Sequence, residues 1–298
     1  MVFSADGSEL WMSHGRQGLL SVWRFPDMYL LAVHEVPCCG LVAHPDGRFA
    51  ALTEDHVIVL EGARIVSRLA RRSRRVRSSG GSMMRANTDT DDLVNEAIGF
   101  HERGHLWHVL VSRTDVRALR IEPDTGEILA DHRVMLADSY HGWGVCMLGT
   151  PKLLIVSRND QPATVVDIGE GCERTMLDFA APHFGGRRSW LSADGAADGM
   201  TFVASDKGSA TRVFHLDALG RVRAVVEVEK RIFPHPTFMK GPSRGAAHAV
   251  HPSGGAVCFT DISARFFVCD AHSGAIMAEH ALPISGGYRW ETNAPKDA

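Results

Sequence analysis

Residues 41–70 read LVAHPDGRFAALTEDHVIVLEGARIVSRLA. Three apolar runs, FAAL, HVIVL and RIVSRLA, last only four to seven residues before a turn-forming residue intervenes. An amphipathic helix needs about ten residues or more without a breaker, so these runs predict strands. Asp46-Gly47 and Glu61-Gly62 supply the positive φ that tight hairpins require. HVIVL is apolar on both faces, as a strand buried between two other layers would be. The stretch therefore predicts four short strands in succession: one before Asp46, one after it, one before Gly62 and one after it.

The same unit recurs along the chain. Its first turn appears in VFSADGSELWM from Val2, AIGFHERGHLWHVLV from Ala97, VCMLGTPKLLIV from Val145, SWLSADGAADGMTFVA from Ser189 and AVHPSGGAVCF from Ala249. The turn glycines are Gly7, Gly47, Gly104, Gly149, Gly195 and Gly254, spaced 40, 57, 45, 46 and 59 residues apart. A second turn follows each first one, at Pro26-Asp27, Glu61-Gly62, Asp124 to Gly126, Gly169 to Gly171, Asp217 to Gly220 and Asp270 to Gly274. Repetition at this period is the mark of a fold built from stacked supersecondary units. The fold class expected is all-β, a ring of about six four-stranded units. A pair of β-sandwiches is the structural alternative.

These units resemble the blades of WD40-like and YVTN-like β-propeller repeats. FSADG and AHPDG match the turn between the first and second strands of such blades, and EPDTGE and DAHSGA the turn between the third and fourth. The repeats are degenerate: Trp23 is followed by Arg24, no Trp-Asp pair ends a third strand, and no Gly-His pair opens a unit. The resemblance implies a propeller of about six four-stranded blades, or part of a seven-bladed ring, over residues 1–283, with an insertion at about 71–92. Residues 284–298 form a tail. Tyr288 and Trp290 alternate like strand residues, and the expectation is that the tail folds back beside residues 1–4 and closes the ring.

The chain has 298 residues, is 45% hydrophobic and 22% charged, and carries a net charge of −3. That composition suits a full core and excludes collagen, coiled coil and global disorder. Six cysteines with no CxxC read as free thiols in a reducing compartment. The start, MVFSADGSELWM, has no basic and apolar leader pattern, and no apolar run approaches the roughly 18 residues of a membrane span. The location expected is cytoplasmic, with no membrane partner.

Three features bear on function. Residues 101–105, His101-Glu102-Arg103-Gly104-His105, match HExxH. On a helix this motif holds zinc through both histidines and uses the glutamate as general base, with His108, Glu122 or Glu127 as further ligands. Here it coincides with the repeated turn, Gly104 taking the turn-glycine place, so a hairpin is expected and neither metal nor other cofactor. Second, residues 64–77 hold seven arginines and no acid, which leaves −10 on the rest of the chain. Arg71, Arg72, Arg74, Arg75 and Arg77 are candidates for docking an acidic protein partner. No aromatics interleave them, so base stacking and a nucleic-acid partner are not suggested. Third, Tyr140, His141, Trp143, His183, Arg187 and Arg188 are aromatic and basic anchors of the kind interfaces use. The resemblance implies that they share one loop-rich face with the polar connections between second and third strands. GxxxxGK[ST], GxGxxG and GxSxG are absent. The function expected is a non-catalytic scaffold or recognition module that binds a protein partner. The alternative is a hydrolase, with zinc at residues 101–105 or a site in the central channel.

Overall fold

A computed structural model describes residues 1–14, 18–77, 83–90, 94–100, 103–136, 144–148, 152–156, 163–169, 174–177, 192–195, 201–205, 211–216, 221–228, 248–260, 265–281, 284–285 and 289–290. Among them every regular element is a strand. Sheet I comprises β1 (Val2–Phe3), β2 (Glu9–His14), β3 (Leu19–Arg24) and β4 (Tyr29–Glu35). Sheet II comprises β5 (Cys39–Ala43), β6 (Arg48–Leu52), β7 (His56–Glu61) and β8 (Arg64–Ala70). A separate hairpin follows, β9 (Ser73–Arg77) and β10 (Met83–Asn87). Sheet III is β11 (Asn95–Phe100), β12 (Leu106–Val111), β13 (Asp115–Ile121) and β14 (Ile128–Met135). Sheet IV is β15 (Gly144–Leu148), β16 (Lys152–Val156), β17 (Ala163–Asp167) and β18 (Arg174–Leu177). Sheet V is β19 (Ser192–Gly195), β20 (Thr201–Ser205), β21 (Thr211–Leu216) and β22 (Val222–Glu227). Sheet VI is β23 (His248–Val250), β24 (Ala256–Thr260), β25 (Arg265–Asp270) and β26 (Ile276–Ala281), and β27 (Ile284–Ser285) pairs with β28 (Arg289–Trp290). Each four-stranded sheet is an antiparallel meander in sequence order.

The first strands of successive sheets are neighbours, β1 beside β5, β5 beside β11, and onward through β15 and β19 to β23, which lies beside β1. This all-β arrangement of four-stranded antiparallel sheets is compatible with a β-propeller. It explains why the middle strands are apolar on both faces. In β7, Ile58 and Leu60 pack toward Trp11, Leu20 and Val22 of sheet I. Val57 and Val59 pack toward Ile98, Phe100, Leu106 and Leu119 of sheet III. Each side chain so buried contributes about 1.5–3 kcal/mol.

The turns follow the expected glycines at four of the six first-turn positions, with φ of +75° at Gly7, +90° at Gly47, +82° at Gly104 and +71° at Gly254. Gly149 lies outside the described residues. Gly195 is a correction: it ends β19 opposite Phe202, so the reversal lies after it. SADGAADG holds two Asp-Gly pairs, and the strand consumes the first.

The pairing of third and fourth strands carries a β-bulge near the turn in sheets I, II, III, V and VI. The extra residue on the outer strand is Leu31, Val66, Leu129, Arg223 and Met277 in turn. Leu31, Val66, Leu129 and Met277 are among the exposed large apolar side chains. A bulge disrupts the ladder at a free sheet edge, which discourages edge-to-edge pairing.

Two histidines are folded into this frame uncharged. Burial brings the pKa of His248, on β23, down to about 3 and that of His14, on β2, down to about 4. Both lie below the 6.5 of a free imidazole, so the unfolded chain binds more protons as pH falls below 6.5. Stability from these groups is complete above that pH and is lost as pH falls toward 4, by on the order of a few kcal/mol. Calorimetric melting between pH 7.5 and 4 should show a steady fall in Tm that His248→Leu reduces. A Tm constant from pH 7 to 5 in the unmodified protein would contradict this.

Candidate interaction site

The Arg-rich run is a folded element. After β8 the chain passes through Arg71 and Arg72 and forms β9, paired antiparallel with β10 from Asn87↔Ser73 to Met83↔Arg77. The hairpin lies in the connection between sheets II and III, at the end of the sheets where the connections between second and third strands also lie.

Its base is held by a buried carboxylate. Glu96 on β11 has a side chain only 4% exposed. It accepts hydrogen bonds from Arg71 Nε at 2.8 Å, from Ser73 Oγ at 2.7 Å and from His108 Nε2 at 2.8 Å, and Arg85 Nε lies 3.4 Å away. Arg71 also donates to the carbonyl of Thr53, between β6 and β7, so one guanidinium ties sheet II to sheet III. Arg85 donates to Ser73 Oγ at 2.6 Å and to the Glu54 carbonyl at 2.8 Å. Burial alone would raise the Glu96 carboxyl. The hydrogen bonds and charges of His108 and Arg71 outweigh it and bring its pKa down to about 2.

The return from the hairpin is held by ion pairs. Arg117 on β13 bridges Asp89, just after β10, and Asp131 on β14. The pairing with both aspartates raises the Arg117 pKa, and the hydrogen bond from Arg117 is the main reason that Asp89 is lowered. Arg133 pairs with Asp115, which also accepts from Ser112. Arg117, Asp131, Arg133 and Asp115, with Asn87 and Leu110, line a cleft of about 320 Å³ between hairpin and sheet III. Its charges are matched within its own walls.

The five candidate arginines divide. Arg71 is buried in the Glu96 network, where its guanidinium holds the base of the hairpin. Arg72 is half-buried, and Arg74 and Arg75 are exposed. Arg75 lies 3.3 Å from Glu54, with both side chains more than half exposed. Arg77 ends β9. Tyr140, His141, Trp143, His183, Arg187 and Arg188 lie outside the described residues.

His101 and Glu102 of the HExxH segment also lie outside them. Residues 101–105 nevertheless join β11 to β12, which pair antiparallel up to Phe100↔Leu106. Gly104, between the two strands, has φ of +82°. His105 Nε2 is 3.5 Å from Glu122. His108, read as a further ligand, is wholly buried and bonded to Glu96 instead. Among the described residues no cluster of three or more His, Cys, Asp or Glu could hold a metal ion.

The polar connections act as turn formers. Thr53 Oγ1 accepts from the His56 amide at 3.0 Å, and Ser112 Oγ from the Asp115 amide at 3.1 Å. What the sequence did not single out is the anchor, Glu96 with Ser73 and Arg85; His108 it offered only as a metal ligand. Its one signal is a carboxylate inside the strand NEAIGF.

No protein-family model matches the chain, and no curated protein matches it. Among solved structures it is similar to hydrazine synthase of Kuenenia stuttgartiensis, at 11% identity and a TM-score of 0.55, over 91% of this chain and 94% of that one. It is also similar to KlHsv2 with loop 6CD replaced by a Gly-Ser linker, at 12% identity and a TM-score of 0.50, over 96% of this chain and 81% of that one. At such identities the likeness concerns the fold alone.

Proposed function

We propose that the chain is a β-propeller of degenerate WD40-like or YVTN-like repeats, closed between sheets VI and I, that works as a non-catalytic recognition module for an acidic protein partner. The observation that carries this reading is the hairpin β9–β10. An arginine-dense segment is folded, anchored by a buried carboxylate, and set at the loop-bearing end of the sheets with Arg74 and Arg75 exposed. The Arg75–Glu54 pair is exposed, and such pairs are worth about 0–1 kcal/mol, so an incoming carboxylate can replace Glu54 at little cost. Ring closure is supported by the packing of Phe3, Leu10, Met12 and Trp23 with Ala249, Cys258, Phe266 and Val268. A cytoplasmic location is supported by Cys38, Cys39, Cys258 and Cys269, all free thiols. Among the described residues no helix is long and apolar enough to cross a membrane.

Fluorescence anisotropy with labelled polyglutamate tests the reading. Binding should weaken steeply as salt rises from about 50 to 300 mM. The double variant Arg74→Glu, Arg75→Glu should weaken it by about tenfold or more. Equal binding by variant and parent would show that the hairpin is not the docking element.

A further inference from the structure

Among the described residues the hairpin has one edge with no pairing strand. The Thr88 amide bonds the Arg72 carbonyl across the ladder, and the Val94 amide bonds the Arg85 carbonyl from outside it. Main-chain groups of an antiparallel strand alternate in direction. The first bond sets the main-chain groups of Arg72, Arg74 and Val76 facing β10. The second places Val94 against the outer side of β10 at Arg85. Ser73, Arg75 and Arg77 therefore turn their N–H and C=O groups away from β10. The Ser73 carbonyl takes the Arg85 guanidinium at 2.6 Å. Beyond Arg75 and Arg77, no strand pairs with β9 on that side among the described residues.

Two of the three residues on this edge, at positions 75 and 77, are arginines. Arg75 stands directly opposite Arg85 in the register, and position 77 falls on the same face of the hairpin two residues on. Like charges placed opposite one another destabilise a sheet unless a counter-charge is near. Glu96 supplies it to Arg85 from below and exposed Glu54 to Arg75. The edge thus offers a ladder of main-chain groups and, on one face, cationic residues at alternate positions.

We propose that this edge binds an extended segment of the partner as a third strand, one whose carboxylates recur at every second residue. The inference rests on the recognition reading above and names the form of the acidic partner. Strand addition takes affinity from main-chain hydrogen bonds and specificity from alternate side chains. Carboxylates of period two fall on the Arg75–Arg77 face together. A run of consecutive acids places half of its charge on the opposite face. A nucleic-acid strand matches the charge but has no amide ladder to offer.

The test uses three probes with the full chain: a labelled eight-residue peptide alternating Thr and Glu, the same peptide N-methylated at alternate amides along one edge or the other, and an oligothymidylate of equal charge. The alternating peptide should bind in a salt-sensitive way. N-methylation on the pairing edge should weaken it about tenfold or more, and the double variant Arg75→Gln, Arg77→Gln should do the same with an unchanged melting temperature. Equal binding of plain and both N-methylated registers would overturn strand addition while leaving the acidic-partner reading intact. Tighter binding of oligothymidylate than of the peptide would overturn it in favour of a nucleic-acid occupant. Failure of polyglutamate and all three probes to bind would overturn both readings together.

Discussion

Glu96→Ala is expected to destabilise the protein by about 3–5 kcal/mol, because it strands buried positive charge rather than because it deletes a contact. Arg71 has a side chain 5% exposed, and Arg85 one that is 18% exposed. Without the carboxylate, the Arg71 guanidinium keeps only the Thr53 carbonyl, and Ser73 Oγ and His108 Nε2 lose their acceptor. For a chain of this size the loss lowers Tm by on the order of ten degrees. Chemical denaturation of Glu96→Ala and of the pair Glu96→Leu, Arg71→Met separates the causes. The pair should be the more stable of the two, since it leaves no unmatched charge at position 71. A single variant within about 1 kcal/mol of the parent would show that water reaches the site and that the hairpin is not held there. The carboxylate's contribution has a pH signature too. Its folded pKa is about 2 against an ordinary 4.5, so its stabilisation is complete above 4.5 and is lost as pH falls toward 2.

The contrast between this anchor and the strands around it shows what a single sequence carries. The middle strands were legible because burial on both faces leaves runs such as HVIVL that no other environment favours, and because their turns demand glycine. The register within the sheets was not. Leu31, Val66, Leu129 and Met277 look like core residues in the sequence, and only the pairing shows that each is the extra residue of a bulge. The arginine run concealed the hairpin for a different reason. β9 reads SRRVR, with Val76 its one apolar residue, too little to mark a strand by apolar alternation. What fixes it is a carboxylate in the next strand, β11, beyond the hairpin. Arg71 illustrates the limit: five neighbouring arginines are indistinguishable by composition, and their roles divide only when Glu96 is brought beside one of them.

Gly7→Ala is expected to cost about 2–4 kcal/mol, most of it at the junction between the last and first sheets. The residue sits at φ +75°, where a non-glycine residue loses roughly 1–2 kcal/mol. A Cβ there would also stand 2.1 Å from His251 Nε2. The ring has little room to retreat, because its centroid lies 5.0 Å from that of Phe3 and 5.3 Å from that of Phe25, and Nδ1 is held by Ser253 Oγ at 2.8 Å. His251 opens the first turn of sheet VI, and Gly7 closes the first turn of sheet I. His44 has the same place in sheet II, with its ring 5.0 Å from Phe100 and 4.0 Å from where a Cβ on Gly104 of sheet III would stand. The junction between sheets VI and I thus repeats a contact that joins the consecutive sheets II and III. A double-mutant cycle tests the junction by itself. In a His251→Ala background the clash is gone, and Gly7→Ala should cost only the backbone strain, about 1–2 kcal/mol. Strict additivity of the two substitutions would mean that sheets VI and I do not meet there in solution.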